Sequence, residues 1–135
     1  MDDNRQLFGG NVVGVGVDLT DVERIRSMLE KYPDTFLART FTDAEIAYCA
    51  PRANKAEAFA ARFAAKEAVV KALGTGFRGA ITPKSIGIEN SENGAPCAVL
   101  DSAATDALRA IGGAKVLVSL THLKDYAQAV AVAVK

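Results

Sequence analysis

The chain has 135 residues, a common length for one domain built around a single core. Half of the residues are hydrophobic and 24% are charged, a composition that excludes an intrinsically disordered chain. The 16 basic and 16 acidic side chains cancel, so the overall charge gives no attraction to nucleic acid or to an anionic membrane.

The first predicted element is a strand over residues 11–19. Its alternation puts valines on one face and Gly14, Gly16 and Asp18 on the other. Because glycine in a strand often marks the close approach of a ligand or another backbone, this face predicts an open lane that leads to Asp18. The alternative is that Asp18 only helps to cap the helix that starts at Thr20.

Two helices with capping boxes are predicted next. Residues 20–32 form a helix that begins with a capping box of Thr20 and Glu23, and a proline follows its end. A second capping box, made by Thr42 and Glu45, opens a short helix.

A long helix is predicted from about residue 55 to residue 73, with Gly74 in the position where a left-handed residue ends a helix. This helix is apolar nearly all round, which is typical of a helix at the centre of a fold or an oligomer. Glu67 lies within its apolar arc and Lys71 at the edge of that arc. A charged Glu67 there must be paired, protonated or bound to a cation. Taken alone, a simple Glu67–Lys71 ion pair is the favoured interpretation.

The second half of the chain predicts strands joined by tight turns around one helix. The strands lie at residues 85–90, 95–100, 115–122 and 126–134, and the helix at residues 102–111. Strands connected mostly by hairpins, with helices between them, indicate an α+β domain with a largely antiparallel sheet. We expect one domain over residues 11–135, preceded by an N-terminal extension at residues 1–10.

Several features favour a reduced, cytoplasmic setting. Cys49 and Cys97 lack the spacing of a redox motif or a zinc site. The acidic, polar N-terminus is unlike a secretory signal, and the most apolar segment is too short to span a bilayer. His122 is the single histidine and ends a strand, where a surface hydrogen bond is its usual role; Ser119 lies on the opposite face of that strand.

Three segments, read in order, resemble a known family. They are GVGVDLTDVERI (14–25), FAARFAAKEAVVKALGTG (59–76) and VSLTHLKDYAQAVAV (118–132). Together they look like holo-acyl-carrier-protein synthase, the small type of 4′-phosphopantetheinyl transferase. The resemblance extends from about residue 12 to the C-terminus.

The resemblance implies transfer of the phosphopantetheine arm of coenzyme A to a serine of apo-acyl carrier protein, with release of adenosine 3′,5′-bisphosphate. It assigns a Mg²⁺ ion to Asp18 and Glu67, which agrees with the preference of Mg²⁺ for carboxylates and substrate phosphates. Lys71 matches a lysine that contacts a phosphate, and the general base is either Glu67 or a water on the metal. The residues expected to bind coenzyme A are Arg62, Lys71, Gly74, Pro96, Ser119 and His122.

The resemblance also implies partners. Arg24 and Met28 match residues that dock an acidic helix of the carrier protein; the alternative is an ordinary solvated face. Members of the family are homotrimers of a phosphopantetheinyl transferase fold, with active sites between neighbouring subunits. A non-catalytic nucleotide-binding trimer and a plain interaction module are the rival hypotheses. Leu123 departs from the family, since many relatives have a small polar residue there.

Overall fold

The computed structural model describes residues 10–135 and contains, within them, five strands and five α-helices. In chain order these are β1 (Val12–Asp21), α1 (Val22–Lys31), α2 (Pro33–Thr40), α3 (Asp43–Cys49), α4 (Lys55–Leu73), β2 (Ile86–Asn90), β3 (Pro96–Leu100), α5 (Ser102–Ala110), β4 (Lys115–His122) and β5 (Tyr126–Val134). The predicted α+β class is confirmed. The proposed N-terminal extension lies outside the described residues, except for Gly10.

The strands form two separate antiparallel sheets. The larger sheet has the order β1-β5-β4, and the smaller one is the β2-β3 hairpin. Strand β5 lies in the middle, and its four alanines at alternate positions are buried against the layer that contains α4. Small side chains at these positions allow the helix to lie close to the sheet. The predicted antiparallel pairing is confirmed, and α4 lies at the centre of the molecule.

Two glycines of β1 determine how closely α4 approaches. A Cβ atom at Gly14 would lie 2.0 Å from the carbonyl oxygen of Ala72, and one at Gly16 would lie 1.9 Å from that of Ala68. These distances are far below van der Waals contact, so only glycine fits at either position. The face that carries Gly14, Gly16 and Asp18 was correctly predicted. The prediction of an open lane above these glycines was wrong, because the backbone of α4 fills this space.

Within residues 10–135, the opposite face of the larger sheet remains exposed. We call it the outer sheet face; its large apolar residues are Val15, Val17, Leu19, Leu117, Tyr126 and Val130, all of them exposed. Leu19 reaches 64% exposure. A continuous apolar sheet surface of this kind is typical of an interaction site.

The start of α1 differs from the prediction. Thr20 belongs to β1, and its hydroxyl donates a hydrogen bond to Asp18 Oδ2 at 2.7 Å. Asp21 is the N-cap instead, and its carboxylate accepts from the N–H of Glu23. Neither the Thr20–Glu23 capping box nor a capping role of Asp18 is present. Asp18 is therefore free of a helix-capping task.

Two short helices connect α1 to α4. Pro33, which follows α1, is the first residue of α2, a helix that the sequence analysis did not predict. The capping box of Thr42 and Glu45 at the start of α3 is confirmed in both of its hydrogen bonds.

The long helix α4 is confirmed, and it ends at Gly74, which has a φ of 76°. Most of its residues are buried, including two with charged side chains, Arg62 and Lys66. Within residues 10–135, no helix combines the length and apolar character needed to cross a membrane.

Candidate active site

Lys71 of α4 and Asp18 of β1 form an ion pair at one edge of the helix–sheet contact. The Nζ of Lys71 donates to Asp18 Oδ1 at 3.2 Å and to the carbonyl oxygen of Val17 at 2.9 Å. The lysine side chain remains 52% exposed, whereas that of Asp18 is 16% exposed. Lys71 thus pairs with the strand and not with Glu67, so the simple Glu67–Lys71 ion pair favoured from the sequence is wrong.

Glu67 lies one helical turn before Lys71 and is half-buried. Burial raises the pKa of the Glu67 carboxyl, and the negative charge of Asp18 raises it further. The positive charges of Lys71 and Arg24 act in the opposite direction. The structure therefore brings the two carboxylates close enough to repel one another.

This cluster has the donor set of a site for a hard divalent cation. Each carboxylate oxygen has two lone pairs, so Asp18 can accept further bonds beyond those from Thr20 and Lys71. Among residues 10–135, no group of three or more His, Cys, Asp or Glu side chains could hold a metal by itself. Two carboxylates without a further protein ligand fit Mg²⁺, which is usually held by one or two carboxylates together with substrate phosphates and water.

A second polar site lies around Arg62 on α4. Arg62 as a whole is 7% exposed; its guanidinium Nη2 donates to Asn90 Oδ1 at 2.8 Å, and the guanidinium carbon lies 4.2 Å from the centre of the Tyr48 ring. Its Nε is buried and has no hydrogen-bond partner among the described residues. We call the adjoining cavity of about 190 Å³ the Arg62 pocket; it is lined by Ala44, Tyr48, Arg62, Ile88, Glu89 and Asn90.

The flat face of Tyr48 also contacts a second arginine. The guanidinium carbon of Arg52 lies 3.9 Å from the ring centre. Two positive groups held against one ring favour an anion as ligand nearby. Cys49 is close to this charged group, but burial raises the pKa of its thiol to about 11, so the thiolate is not formed at neutral pH.

The remaining residues expected to bind coenzyme A are spread over several elements. His122 Nδ1 lies 3.1 Å from Glu57 Oε1 at the start of α4. Pro96 pairs in register with Asn90, the partner of Arg62. Ser119 instead lines a cavity of about 240 Å³ along the outer sheet face.

The two residues expected to dock the carrier lie on α1. Arg24 is exposed, and its guanidinium carbon is 5.7 Å from the centre of the Phe63 ring of α4. Its charge acts on Glu67, so it borders the acidic cluster. Met28 is partly buried against the hydrophobic core beneath α1.

Comparison with known proteins identifies the family. The model of the 4′-phosphopantetheinyl transferase superfamily matches residues 14–131. The chain belongs to this superfamily. A curated holo-[acyl-carrier-protein] synthase from Koribacter versatilis is 41% identical over 118 residues, which cover 87% of this chain and 94% of that protein. The resemblance of the three sequence segments to this family is confirmed.

Solved structures agree with this assignment. The crystal structure of holo-[acyl-carrier-protein] synthase from Neisseria meningitidis matches with a TM-score of 0.83 at 33% identity, and the match covers 92% of this chain and 99% of that one. The Helicobacter pylori synthase in complex with coenzyme A matches with a TM-score of 0.78 at 28% identity, over 88% of this chain and 98% of that one. This chain thus shares the fold of these transferases over nearly its whole length.

Sequence reasoning also missed a buried ion pair of this chain, which lies behind the Arg62 pocket. Lys66 Nζ lies 2.6 Å from Glu45 Oε1, and both side chains are almost fully buried. Burial lowers the pKa of Lys66, while the carboxylate of Glu45 raises it. The capping box explained Glu45 well enough on its own, and nothing in the sequence pointed to a partner 21 residues away.

Proposed function

We propose that this chain transfers the 4′-phosphopantetheine arm of coenzyme A to a serine of an apo-acyl carrier protein and releases adenosine 3′,5′-bisphosphate. The observation that carries the proposal is the cluster of Asp18, Glu67 and Lys71, in which a strand and a helix bring two carboxylates and an ammonium together. Its membership of the transferase superfamily and its likeness to a synthase solved with coenzyme A support the same reaction. A modified carrier protein would serve fatty acid biosynthesis.

Asp18 and Glu67 would hold a Mg²⁺ ion. Burial, and then the negative charge of Asp18, raise the pKa of Glu67, and a bound dication would offset both effects by stabilising the ionised carboxylates. When bound, the ion supplies neutralisation of the charge on the pyrophosphate of coenzyme A.

The side chains around this centre would orient coenzyme A. Lys71 is half-exposed and reaches across from α4 to Asp18, so it can contact a phosphate held beside the acidic cluster. Arg62 and His122 would bind the 3′-phosphate of the ribose, and the buried Nε of Arg62 still has a hydrogen bond to give. Gly74, Pro96 and Ser119 would complete the contacts with the nucleotide.

The reaction itself is a displacement at phosphorus. The serine oxygen of the carrier forms a bond to the phosphorus nearer the pantetheine, and the bond from that phosphorus to the bridging oxygen breaks. The electron pair leaves with adenosine 3′,5′-bisphosphate, and the serine proton passes to a base. The protein contributes chiefly position and charge complementarity in such a transfer.

The carrier protein would dock on α1. Arg24 is exposed beside Glu67, so a carrier that pairs an acidic side chain with Arg24 would bring its serine close to the acidic cluster. Met28 would add an apolar contact next to this ion pair.

The working unit would be a homotrimer with active sites between subunits. The outer sheet face offers an apolar surface for a neighbouring copy. Ser119 lies on that face and apart from the Arg62 pocket. In such an assembly Ser119 of one subunit would complete the nucleotide site of another.

Loss of either carboxylate tests the proposal. We expect Asp18→Ala and Glu67→Ala to lower the rate of transfer by at least about a hundredfold, because each removes half of the cation site. The rate is measured as the mass shift of an apo-acyl carrier protein incubated with coenzyme A and Mg²⁺. Asp106→Ala, which removes an exposed acid on α5, is the matched control and should retain wild-type activity.

Full activity in either variant would refute the assignment of the acidic cluster. If the wild-type protein bound coenzyme A but left every tested carrier unmodified, the non-catalytic scaffold would be the better explanation.

A further inference from the structure

Every charged atom of the buried ion pair behind the Arg62 pocket has a polar partner. The ammonium of Lys66 has three protons, and three acceptors surround it. They are Glu45 Oε1 at 2.6 Å, the carbonyl oxygen of Pro83 at 2.8 Å and that of Ile86 at 2.6 Å. Lys66 therefore joins α4 to α3 and to the start of β2.

Each oxygen of Glu45 also has a backbone partner. One oxygen accepts from the N–H of Thr42 at 2.8 Å, and the other accepts from the N–H of Ile88 at 2.9 Å. The side chain is thus the helix cap of α3, the counterion of α4 and a hydrogen-bond acceptor for β2. Both side chains are almost fully buried and neither lines the Arg62 pocket, so the pair makes no direct contact with a ligand there.

Such a pair is costly, and stability alone does not explain it. Removing two charges from water costs several kcal/mol per ion, and apolar residues of the same volume are often at least as stabilising. A buried pair with a polar partner at each charged atom does, however, rigidify the elements that it joins. The pair is therefore better explained by the relative position of α3, α4 and β2 than by stability.

The three joined elements each contribute to two layers. The inner layer consists of Glu45, Lys66 and the N–H of Ile88, and the outer layer consists of Tyr48, Arg62 and Asn90. The members on α3 are three residues apart, those on α4 four apart and those on β2 two apart. On the two helices, these are spacings at which side chains lie on the same face. In β2, the contact with the inner layer is made by a backbone N–H two residues before Asn90. The outer layer lines the Arg62 pocket, and the inner layer joins the same three elements behind it.

We propose that Glu45 and Lys66 are a positioning pair, which holds α3, α4 and β2 in the one arrangement that aims Arg62 at the 3′-phosphate of coenzyme A. The proposal rests on the proposed function, in which Arg62 binds that phosphate. It adds that the orientation of Arg62 depends on two residues that never touch the ligand.

The experiment compares coenzyme A with dephospho-coenzyme A, which differs only by lacking the 3′-phosphate. Affinities for both are measured by titration calorimetry with the full chain and Mg²⁺. The double variant Glu45→Gln/Lys66→Met removes both charges and keeps the volume of the side chains. We expect wild type to prefer coenzyme A by at least about tenfold. In the double variant this preference should fall severalfold, while the affinity for dephospho-coenzyme A stays within about twofold.

Two controls separate positioning from a general loss of stability. Ile111→Ala shortens a half-buried side chain that packs against the core and belongs to neither layer, so it destabilises the fold without changing a residue of either layer. Its preference for coenzyme A should equal that of wild type. If the double variant does not fold, Glu45→Asp, which keeps the counterion of Lys66 but shortens the side chain by one methylene group, should show the same loss of preference to a smaller degree.

A variant that folds and keeps the wild-type preference would overturn the positioning role. A wild-type protein without any preference would instead refute the proposed contact between Arg62 and the 3′-phosphate. The transfer assay, which does not depend on that preference, would still decide the proposed function.

Discussion

Two lysines of α4, five residues apart, show two different uses of an ion pair. Lys66 and its partner Glu45 are almost completely buried, and every polar atom of the pair has a partner. Lys71 is half-exposed and pairs with Asp18, and the charges of both residues act on Glu67. We call Glu45–Lys66 the closed pair and Asp18–Lys71 the open pair. The closed pair can only hold elements in place, whereas the open pair can exchange partners when a ligand binds. Exposure to solvent therefore distinguishes the structural ion pair from the ion pair at the candidate active site.

The largest expected effect comes from breaking the closed pair on one side. Lys66→Met leaves Glu45 buried without its counterion, and we expect the free energy of unfolding to fall by about 3–5 kcal/mol. Urea denaturation followed by circular dichroism measures this loss. The double variant Glu45→Gln/Lys66→Met should recover a large part of it. A single variant no less stable than the double one would contradict the view of a closed pair.

A smaller effect, of another kind, is expected at the open pair. Lys71→Met should change the free energy of unfolding by less than about 1 kcal/mol, because exposed ion pairs contribute little. Its rate of transfer to the carrier should nevertheless fall by about a hundredfold, since a charge beside the reacting phosphate is lost. Stability and the carrier mass shift are measured on the same preparation. Lys71→Met behaving like Lys66→Met in denaturation would remove the contrast between the two lysines.

The smallest effect concerns the dependence of stability on pH. The folded state raises the pKa of Glu67 above its usual value of 4.5, so folded protein binds this proton more readily than unfolded protein does. Wild type should therefore lose stability as the pH rises from 4.5 through the raised pKa. Glu67→Gln cannot ionise and escapes this loss.

Without metal, Glu67→Gln should melt about 1–3 °C higher than wild type at neutral pH, and the difference should vanish in acid. Thermal scans in EDTA from about pH 4 to about pH 8 measure it. Coenzyme A with Mg²⁺ should stabilise wild type and have less effect on the variant. A difference that grows in acid would have the wrong sign and would exclude a buried, repelled carboxylate.

Much of this fold follows from local sequence signals. The capping box of Thr42 and Glu45, the long apolar helix and the glycine at its end were all interpreted correctly, because each depends on neighbours within a few residues. The errors at the start of α1 and at Pro33 have the same local origin. Thr20 and Asp21 are both good caps, and a proline can either follow a helix or begin one.

The site was harder to predict, because its contacts are long-range. The resemblance to the family predicted one site for Asp18, Glu67 and Lys71. Periodicity and spacing, however, give no signal that Lys71 pairs with Asp18, 53 residues away, rather than with Glu67 one turn away. The glycines of β1 were placed on the correct face, but whether a ligand or a helix fills the space above them depends on packing. Tyr48 and Asn90 are ordinary residues in the sequence, and only the folded chain brings them to Arg62.

The two glycines of β1 also affect the acidic cluster of Asp18 and Glu67. Gly14 and Gly16 touch the backbone of α4 directly, so the gap between strand and helix is as narrow as two polypeptides allow. Asp18 lies on the strand and Glu67 on the helix, at either side of this gap. A single methyl group at either glycine would act as a wedge and part the two acids, although it would alter no polar atom. The reach between these carboxylates is thus governed by two residues that have no side chain at all.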